Sequence, residues 1–301
     1  MDFQKFTRVL QTRMQLFAGS DCEITLQEVT KNNGLKKTGL MAKKEGISTY
    51  PTVYVDDYYD SEMKELEIEY LAMKLSQMLL KHIPKEDIDV GDFLDFEIAQ
   101  ERIVYKLVNA ELNKKELLDI PHRRFHNLAV VYYYLMDSET SLNNVNVGNA
   151  TIMIKASHLK LWNKTEEDIF KVAKENTPRL LPPLVESLSN MILEMTDIEV
   201  DYENTIFVAT NDRKSFGAGV ILYEGVLKEL ADRIGKNIYI LPSSVHETIL
   251  LKEDDEHMPS DVKELLSMVS TVNKNEVDPM EVLADSIYYY DRELDEIVWV
   301  C

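Results

Sequence analysis

Apolar residues recur at helical spacing at the start of the chain, where Phe3, Phe6, Val9, Leu10 and Phe17 predict an amphipathic helix. Glu23-Ile-Thr-Leu-Gln-Glu-Val29 then alternates as a strand. Asn32-Asn33-Gly34 supplies turn residues that tolerate positive φ, and Leu35 to Ala42 returns as the partner strand. Thr52 to Val55 reads as a third short strand. Ser61 to His82 predicts a long helix with Met63, Leu66, Tyr70, Met73 and Leu79 on one face, stopped by Pro84, and a second helix from about Asp92 to Val108.

From Pro121 the pattern changes. Leu128-Ala-Val-Val-Tyr-Tyr-Tyr-Leu-Met136 is continuously apolar and rich in β-formers, which predicts a central strand. A polar loop through Asn143 to Asn149 leads to a strand at Ala150 to Lys155. A helix follows from about Thr165 to Glu175, with Thr165 and Asp168 spaced as a capping box. Ser157-His158-Leu159 starts a shorter helix in which Trp162 reads as core. A similar order recurs later: a strand at Thr205 to Ala209, a polar loop from Asn211 to Gly219, a strand at Val220 to Tyr223, and a helix to Ile234 closed by Gly235. These two units suggest a duplicated motif or, as the sharing of so little sequence favours, one extended mixed sheet. Pro178, Pro182 and Pro183 separate them and start a helix carrying Leu184, Leu188, Met191 and Met195. Asp278-Pro279-Met280-Glu281 has the residues of a helix start, and Ile287 to Tyr290 with Ile297 to Val300 reads as a terminal hairpin.

The stretch Asn237 to Leu251 concentrates the chemistry. Ile238 to Leu241 and Val245 to Leu251 read as strands flanking Pro242-Ser243-Ser244-Val245-His246-Glu247. On a strand Ser244 and His246 share one side, while Ser243 and Glu247 share the other. A hydroxyl beside an imidazole is the minimum for an activated nucleophile, but the base also needs an orienter, and Glu247 points the wrong way unless Pro242 makes a bulge. Three readings stand: the serines close a turn through backbone bonds and His246 is a satisfied edge residue; the corner binds a ligand through Ser243 and its neighbours; or Ser244, His246 and Glu247 are catalytic.

Pro121-His122-Arg123-Arg124-Phe125-His126 is a basic cluster in an acidic chain. Its arginines could grip a carboxylate or phosphate, and His122 and His126 would form a metal pair only on a helix. An ordinary solvated entry into the following strand is the plainer reading. Asn211 and Asp212 open a polar loop ending Gly217-Ala-Gly219. That pair is too short for a dinucleotide fingerprint and reads as a hairpin return, with Asn211 and Asp212 as binding candidates. His257 lies in an acidic stretch that lacks the glycine and spacing of a calcium loop. No metal-ligand pattern or cofactor motif is present in the sequence.

Charge narrows the partners. The formal net charge of the 301 residues is -20, which argues against unaided binding to a phosphate backbone and favours basic partners or solubility alone. The length allows two domains, read as 1–115 and 116–301. Cys22 and Cys301 are the two cysteines, and their separation fits unpaired thiols in a reducing cytosol. No leader is apparent at Met1-Asp-Phe-Gln-Lys-Phe6 and no apolar run reaches membrane length, so a cytoplasmic location is expected.

Five phrases together resemble a family of uncharacterised bacterial proteins known as a domain of unknown function. They are Leu107-Val-Asn-Ala-Glu-Leu-Asn113, Ile120-Pro-His-Arg-Arg-Phe125, Ser157-His-Leu-Lys-Leu-Trp162, Leu241-Pro-Ser-Ser-Val-His-Glu247 and Val282-Leu-Ala-Asp-Ser-Ile-Tyr288. The resemblance spans nearly the whole chain, and its Pro-Ser-Ser-x-His-Glu phrase is the most specific part. It implies gut Gram-positive anaerobes and their integrative elements as the source, and anti-defence, regulatory or element-maintenance roles. It transfers no catalytic residue.

The expectation is an α+β protein with a small N-terminal helix–three-strand–helix unit and a larger unit built on a mixed, largely antiparallel sheet. Its expected role is that of a binding or interaction protein. The alternatives are a small-molecule hydrolase or transferase using the Pro242–Glu247 corner, and an acidic nucleic-acid mimic. The basic cluster and the corner are expected to meet at one end of the larger sheet.

Overall fold

The computed structural model describes residues 1–84, 90–136, 151–196, 205–253 and 262–301, without the side chains of 194–196. The loop expected at Asn143 to Asn149 and His257 lie outside the described residues. Among the described residues, 1–31, 35–92 and Met136 form a smaller unit, and 32–34, 93–135 and 151–301 a larger one.

The smaller unit follows the predicted order. Helix α1 (Phe3–Ala18) is capped by Asp2, whose side chain accepts from the Lys5 amide, and it buries Phe6, Leu10 and Met14 at four-residue spacing. Strands β1 (Glu23–Thr30) and β2 (Lys36–Lys43) pair antiparallel from Glu23↔Lys43 to Thr30↔Lys36, and β3 (Thr52–Tyr54) adds to β2. The turn between β1 and β2 uses positive φ at Asn33 and Gly34. Helix α2 (Glu65–Lys81) closes the core with Ile68, Ala72, Leu75 and Leu79. This is not the face expected from Met63, Leu66 and Tyr70: Leu66 is 81 % and Tyr70 65 % exposed. Ala72 and Ser76 carry too little apolar weight to mark the buried face from sequence.

The larger unit departs from expectation at once. Asp92 to Val108 is not a helix. Two short helical turns, α3 (Gly91–Leu94) and α4 (Phe96–Ala99), precede strand β4 (Ile103–Asn109). The β-branched and aromatic content of Ile103-Val-Tyr-Lys-Leu-Val108 prevails over its helical spacing. Strands β5 (His122–Phe125), β6 (Leu128–Leu135) and β7 (Thr151–Met153) complete one sheet, with β6 fully buried, β4 on one side of it and β5 and β7 end to end on the other. Helix α5 (Ala156–Trp162) buries Trp162, whose indole donates to the Phe93 carbonyl. Helix α6 (Glu166–Leu180) starts at the Thr165–Asp168 capping box. It satisfies the outer edge of β4: the Tyr105 amide donates to Thr177 Oγ1 at 3.0 Å, and Asn176 Nδ2 donates to the Ile103 carbonyl at 3.1 Å.

The rest builds a second sheet, from β8 (Pro183–Ser187), helix α7 (Leu188–Thr196), β9 (Ile206–Asn211), helix α8 (Val226–Ile234), β10 (Ile238–Leu241), β11 (Thr248–Lys252), helix α9 (Val262–Glu276), β12 (Tyr288–Asp291) and β13 (Glu296–Trp299). Its order is β13-β12-β10-β11-β9-β8. The larger unit therefore holds two sheets rather than one extended sheet. All described pairings are antiparallel, so neither sheet is mixed. The α+β class and the terminal hairpin are as expected. One face of the six-stranded sheet presents Tyr239, Leu241, Ile249 and Leu251 to Leu265 and Val269 of α9.

Three further segments differ from expectation. Leu184 begins no helix, because Pro183 opens an edge strand, a place where a missing N–H is tolerated. Val220 to Tyr223 is not a strand: Gly217–Leu222 is a 3₁₀ segment whose Ala218, Val220 and Ile221 are buried all round, and so short an apolar run carries no period. Asp278 starts no helix. Its carboxylate accepts from the Met280 amide in a turn, and the following residues pair with the Pro242–Glu247 corner instead.

Candidate functional site

Strands β10 and β11 part at Leu241↔Ile249, and residues 242–247 form an irregular corner rather than the start of the strand expected at Val245. A second segment is clamped onto it. The Val245 amide donates to Glu281, the Leu283 amide to Ser243 and the Ala284 amide to Pro242, at 2.8 to 2.9 Å, with Ser244 and Val282 bridged.

His246 is engaged on every polar atom. Its amide donates to Ser244 Oγ at 3.1 Å, and its carbonyl accepts from Thr210 Oγ1 at 2.8 Å. Its Nδ1 accepts from the Phe216 amide at 3.2 Å, and its Nε2 lies 3.4 Å from Glu281 Oε1. A backbone amide only donates, so Nδ1 is the acceptor and the neutral ring carries its proton on Nε2, toward Glu281. The ring stacks on Phe216 with centroids 5.5 Å apart. Ser244 Oγ thus serves the His246 backbone, not its imidazole. Ser243 is buried and its hydroxyl makes no hydrogen bond with the described residues, and Glu247 is exposed and makes none with them either.

The loop that meets this corner is organised by Asn211, which is fully buried. Its Oδ1 accepts from the Arg213 and Ser215 amides, and its Nδ2 donates to the Ser215 carbonyl at 2.9 Å. Asp212 is exposed, its amide bound to the Pro182 carbonyl. Phe216 adopts φ 55°. At Gly217 a Cβ would lie 2.2 Å from Thr210 Oγ1, 2.6 Å from the Asn211 amide and 2.7 Å from the His246 carbonyl, so this position excludes any side chain. The glycine makes room for the corner and does not close a hairpin.

Lys106 joins the group from β4. It sits opposite Val131, with its Nζ 3.6 Å from the centroid of Phe216 and 5.6 Å from that of Tyr133. No ion pair to Lys106 exists among the described residues. Loss of hydration pulls its ammonium down to about 8. Burial pushes the Tyr133 phenol up, an effect opposed by the charge of Arg213. Lys106, Phe216, His246 and Glu281 form one chain of contacts. Sequence reading missed Lys106 because its segment was taken as helical; the available signal was a lone lysine inside Ile103-Val-Tyr-Lys-Leu-Val108.

The basic cluster is neutralised where it stands. Arg123 reaches Glu166 at 3.0 Å, pairs with Glu167 and lies 3.7 Å over Phe170, and these partners hold its proton more firmly. Tyr132 donates to the same Glu166. Arg124 pairs with Glu111 at 2.9 Å. His122 Nδ1 meets the Ile120 carbonyl, and His126, at φ 53°, meets that of Ile297. No hydrogen bond, ion pair or ring contact joins this cluster to His246. Ser244, His246 and the loop of Asn211 are brought together; Arg123, Arg124 and His122 are each held by separate partners.

An open cleft of about 650 Å³ is lined by Phe125, Tyr223 and Tyr290 together with Glu224, Asp295 and Glu296. Its lysines are occupied: Lys174 lies 3.8 Å from Glu224, and Lys228 donates to the Arg292 carbonyl at 2.9 Å and to Asp232. Tyr290 donates to Asp295 at 2.6 Å, whereas Glu296 is exposed with no partner among the described residues. Among the described residues no cluster of three metal-ligating side chains occurs, and no described helix is long and apolar enough to cross a membrane.

Residues 3–292 match the model of a family of unknown function (DUF5688). No curated protein and no solved structure matches the chain.

Proposed function

The chain belongs to the DUF5688 family, whose function is unknown, so it inherits no activity, and we propose from its own geometry that it is a binding protein whose larger unit receives a basic partner. The observation that carries this reading is the cleft at Phe125, Tyr223 and Tyr290. Aromatic rings attract an ammonium or guanidinium group, and two exposed carboxylates stand beside them. Glu296 is without a partner among the described residues and Glu224 is met at 3.8 Å by Lys174, while Lys228 is held by Asp232 and the Arg292 carbonyl. The net charge of -20 steers a basic partner toward the molecule.

The corner adds support from the other side. Ser244 and both ring nitrogens of His246 hold the chain in place, which leaves a hydrolase or transferase there without a free base beside its hydroxyl. A nucleic-acid mimic needs acids unrelieved along a ridge, whereas Glu167 and Asp232 lie beside Lys171 and Lys228. A cytoplasmic setting is part of the proposal, supported by the free thiols of Cys22 and Cys301. A host or element protein as the partner fits the roles that the family resemblance implies.

The test is titration of the full chain with a lysine- and arginine-rich decapeptide at low salt. The double substitution Glu224→Lys, Glu296→Lys should weaken binding about tenfold. The control Glu62→Lys, Glu69→Lys changes the net charge equally, at an exposed turn before α2 and an exposed position on it, and should weaken it far less. Equal losses in both variants would reduce the effect to overall charge and overturn the cleft as the site.

A further inference from the structure

Partners across an antiparallel sheet project their side chains to the same face. The face of the six-stranded sheet turned away from α9 therefore carries Ser187 across from Phe207, Phe207 across from Leu250, and Lys252 two residues beyond Leu250. Helix α8 brings Arg233, in its last turn, over the Phe207 ring, with the guanidinium carbon 6.0 Å from the centroid. An open cavity of about 700 Å³ is lined there by Val185, Ser187, Phe207, Arg233, Ile234 and Lys252, and it shares no lining residue with the cleft at Phe125. Among the described residues neither Arg233 nor Lys252 makes an ion pair, although Glu229 stands one turn before Arg233. Glu186 borders the cavity too, but it lies across from Val208, and strand alternation turns its carboxylate to the opposite face. Ser187 is 6 % exposed, and its Oγ accepts from the Asn190 amide at 3.3 Å in the first turn of α7. Its own hydroxyl proton has no acceptor among the described residues.

We propose that this cavity binds the oxyanion, phosphate or carboxylate, of a small organic molecule with a flat apolar body. Arg233 offers a planar fork of N–H donors that matches two oxygens of either group, and Lys252 adds a point charge. Ser187 donates its free hydroxyl proton from the wall, and the amide end of α7 favours negative charge beside it. The rest of the ligand lies against Val185, Phe207 and Ile234, side chains without polar atoms, so a ring suits the space better than a bare ion. A chain of net charge -20 repels such a ligand over most of its surface, and two cations without a carboxylate between them decide where it settles.

The probes are phenyl phosphate and benzoate, with benzylamine as their cationic counterpart, titrated into the full chain and followed by amide NMR shifts at moderate salt. At least one of the anions should move the Ser187 and Phe207 amides to saturation, the tighter of the two naming the group, while benzylamine leaves those amides unmoved. Arg233→Ala and Lys252→Ala should each weaken that binding about tenfold. Lys36→Ala removes one positive charge from the smaller unit and should leave it unchanged. Arg233 is exposed and Lys252 partly so, and both variants should melt like the parent, which separates lost binding from lost fold. No saturable shift with either anion, saturation that both cation substitutions leave intact, or an equal loss in Lys36→Ala would overturn the proposal.

Discussion

His246 supports three pieces of chain at once: the Phe216 amide through Nδ1, Thr210 through its carbonyl, and its own corner through Ser244. Truncation to alanine leaves the Phe216 amide without its acceptor and removes the stacked ring, which should cost about 1–3 kcal/mol. The melting temperature of His246→Ala should fall by several degrees, and that of Ser244→Ala by less, while Glu247→Ala, exposed and unbonded, should melt like the parent. Unchanged melting of both His246→Ala and Ser244→Ala would reject the structural role. Lys106 gives the opposite sign. An unfolded chain holds a lysine proton to about 10.4 and the folded one to about 8, so across that interval the unfolded state binds more protons and stability rises with pH. Below pH 8 the cost of the buried charge is fully present. Lys106→Met should thus stabilise the protein at pH 7, by about 1–3 kcal/mol, and the gain should be gone by pH 10.5. An equal gain at both pH values, measured by chemical denaturation, would refute the buried-charge explanation.

At the scale of elements, what could be read from sequence was what local pattern decides. Thr165 and Asp168 announce α6, Gly235 ends α8 in a left-handed conformation, and the apolar run from Leu128 is the buried central strand. What could not be read depended on distant partners. Ile103 to Val108 has helical spacing, yet β6 on one side and Asn176 and Thr177 on the other satisfy it as a strand. Asp278-Pro279 would start a helix alone, but the corner captures Leu283 and Ala284 first. The candidate site was half legible for the same reason. Ser244, His246 and Asn211 stood out as polar residues among apolar neighbours, whereas Phe216, Glu281 and Lys106 come from three other segments and meet them only in the folded chain.

For the whole molecule, 53 acidic residues against 33 basic ones make self-repulsion part of the stability balance. Raising ionic strength from about 10 mM to 150 mM shortens the Debye length from about 30 to 8 Å, and the melting temperature should rise by about 2 °C or more; a flat or falling curve would show that local pairs absorb the charge. One last consequence follows from the clamp of residues 243–245 on 281–284. It ties the chain into a loop of roughly 36 residues whose closure entropy depends only on the logarithm of its length. Doubling that loop adds about 0.6 kcal/mol, so a peptide tag or a small foreign domain spliced between Glu276 and Val277, where the chain leaves α9 at the surface, should leave the clamp intact and offer a handle for tethering the protein to a surface or a reporter.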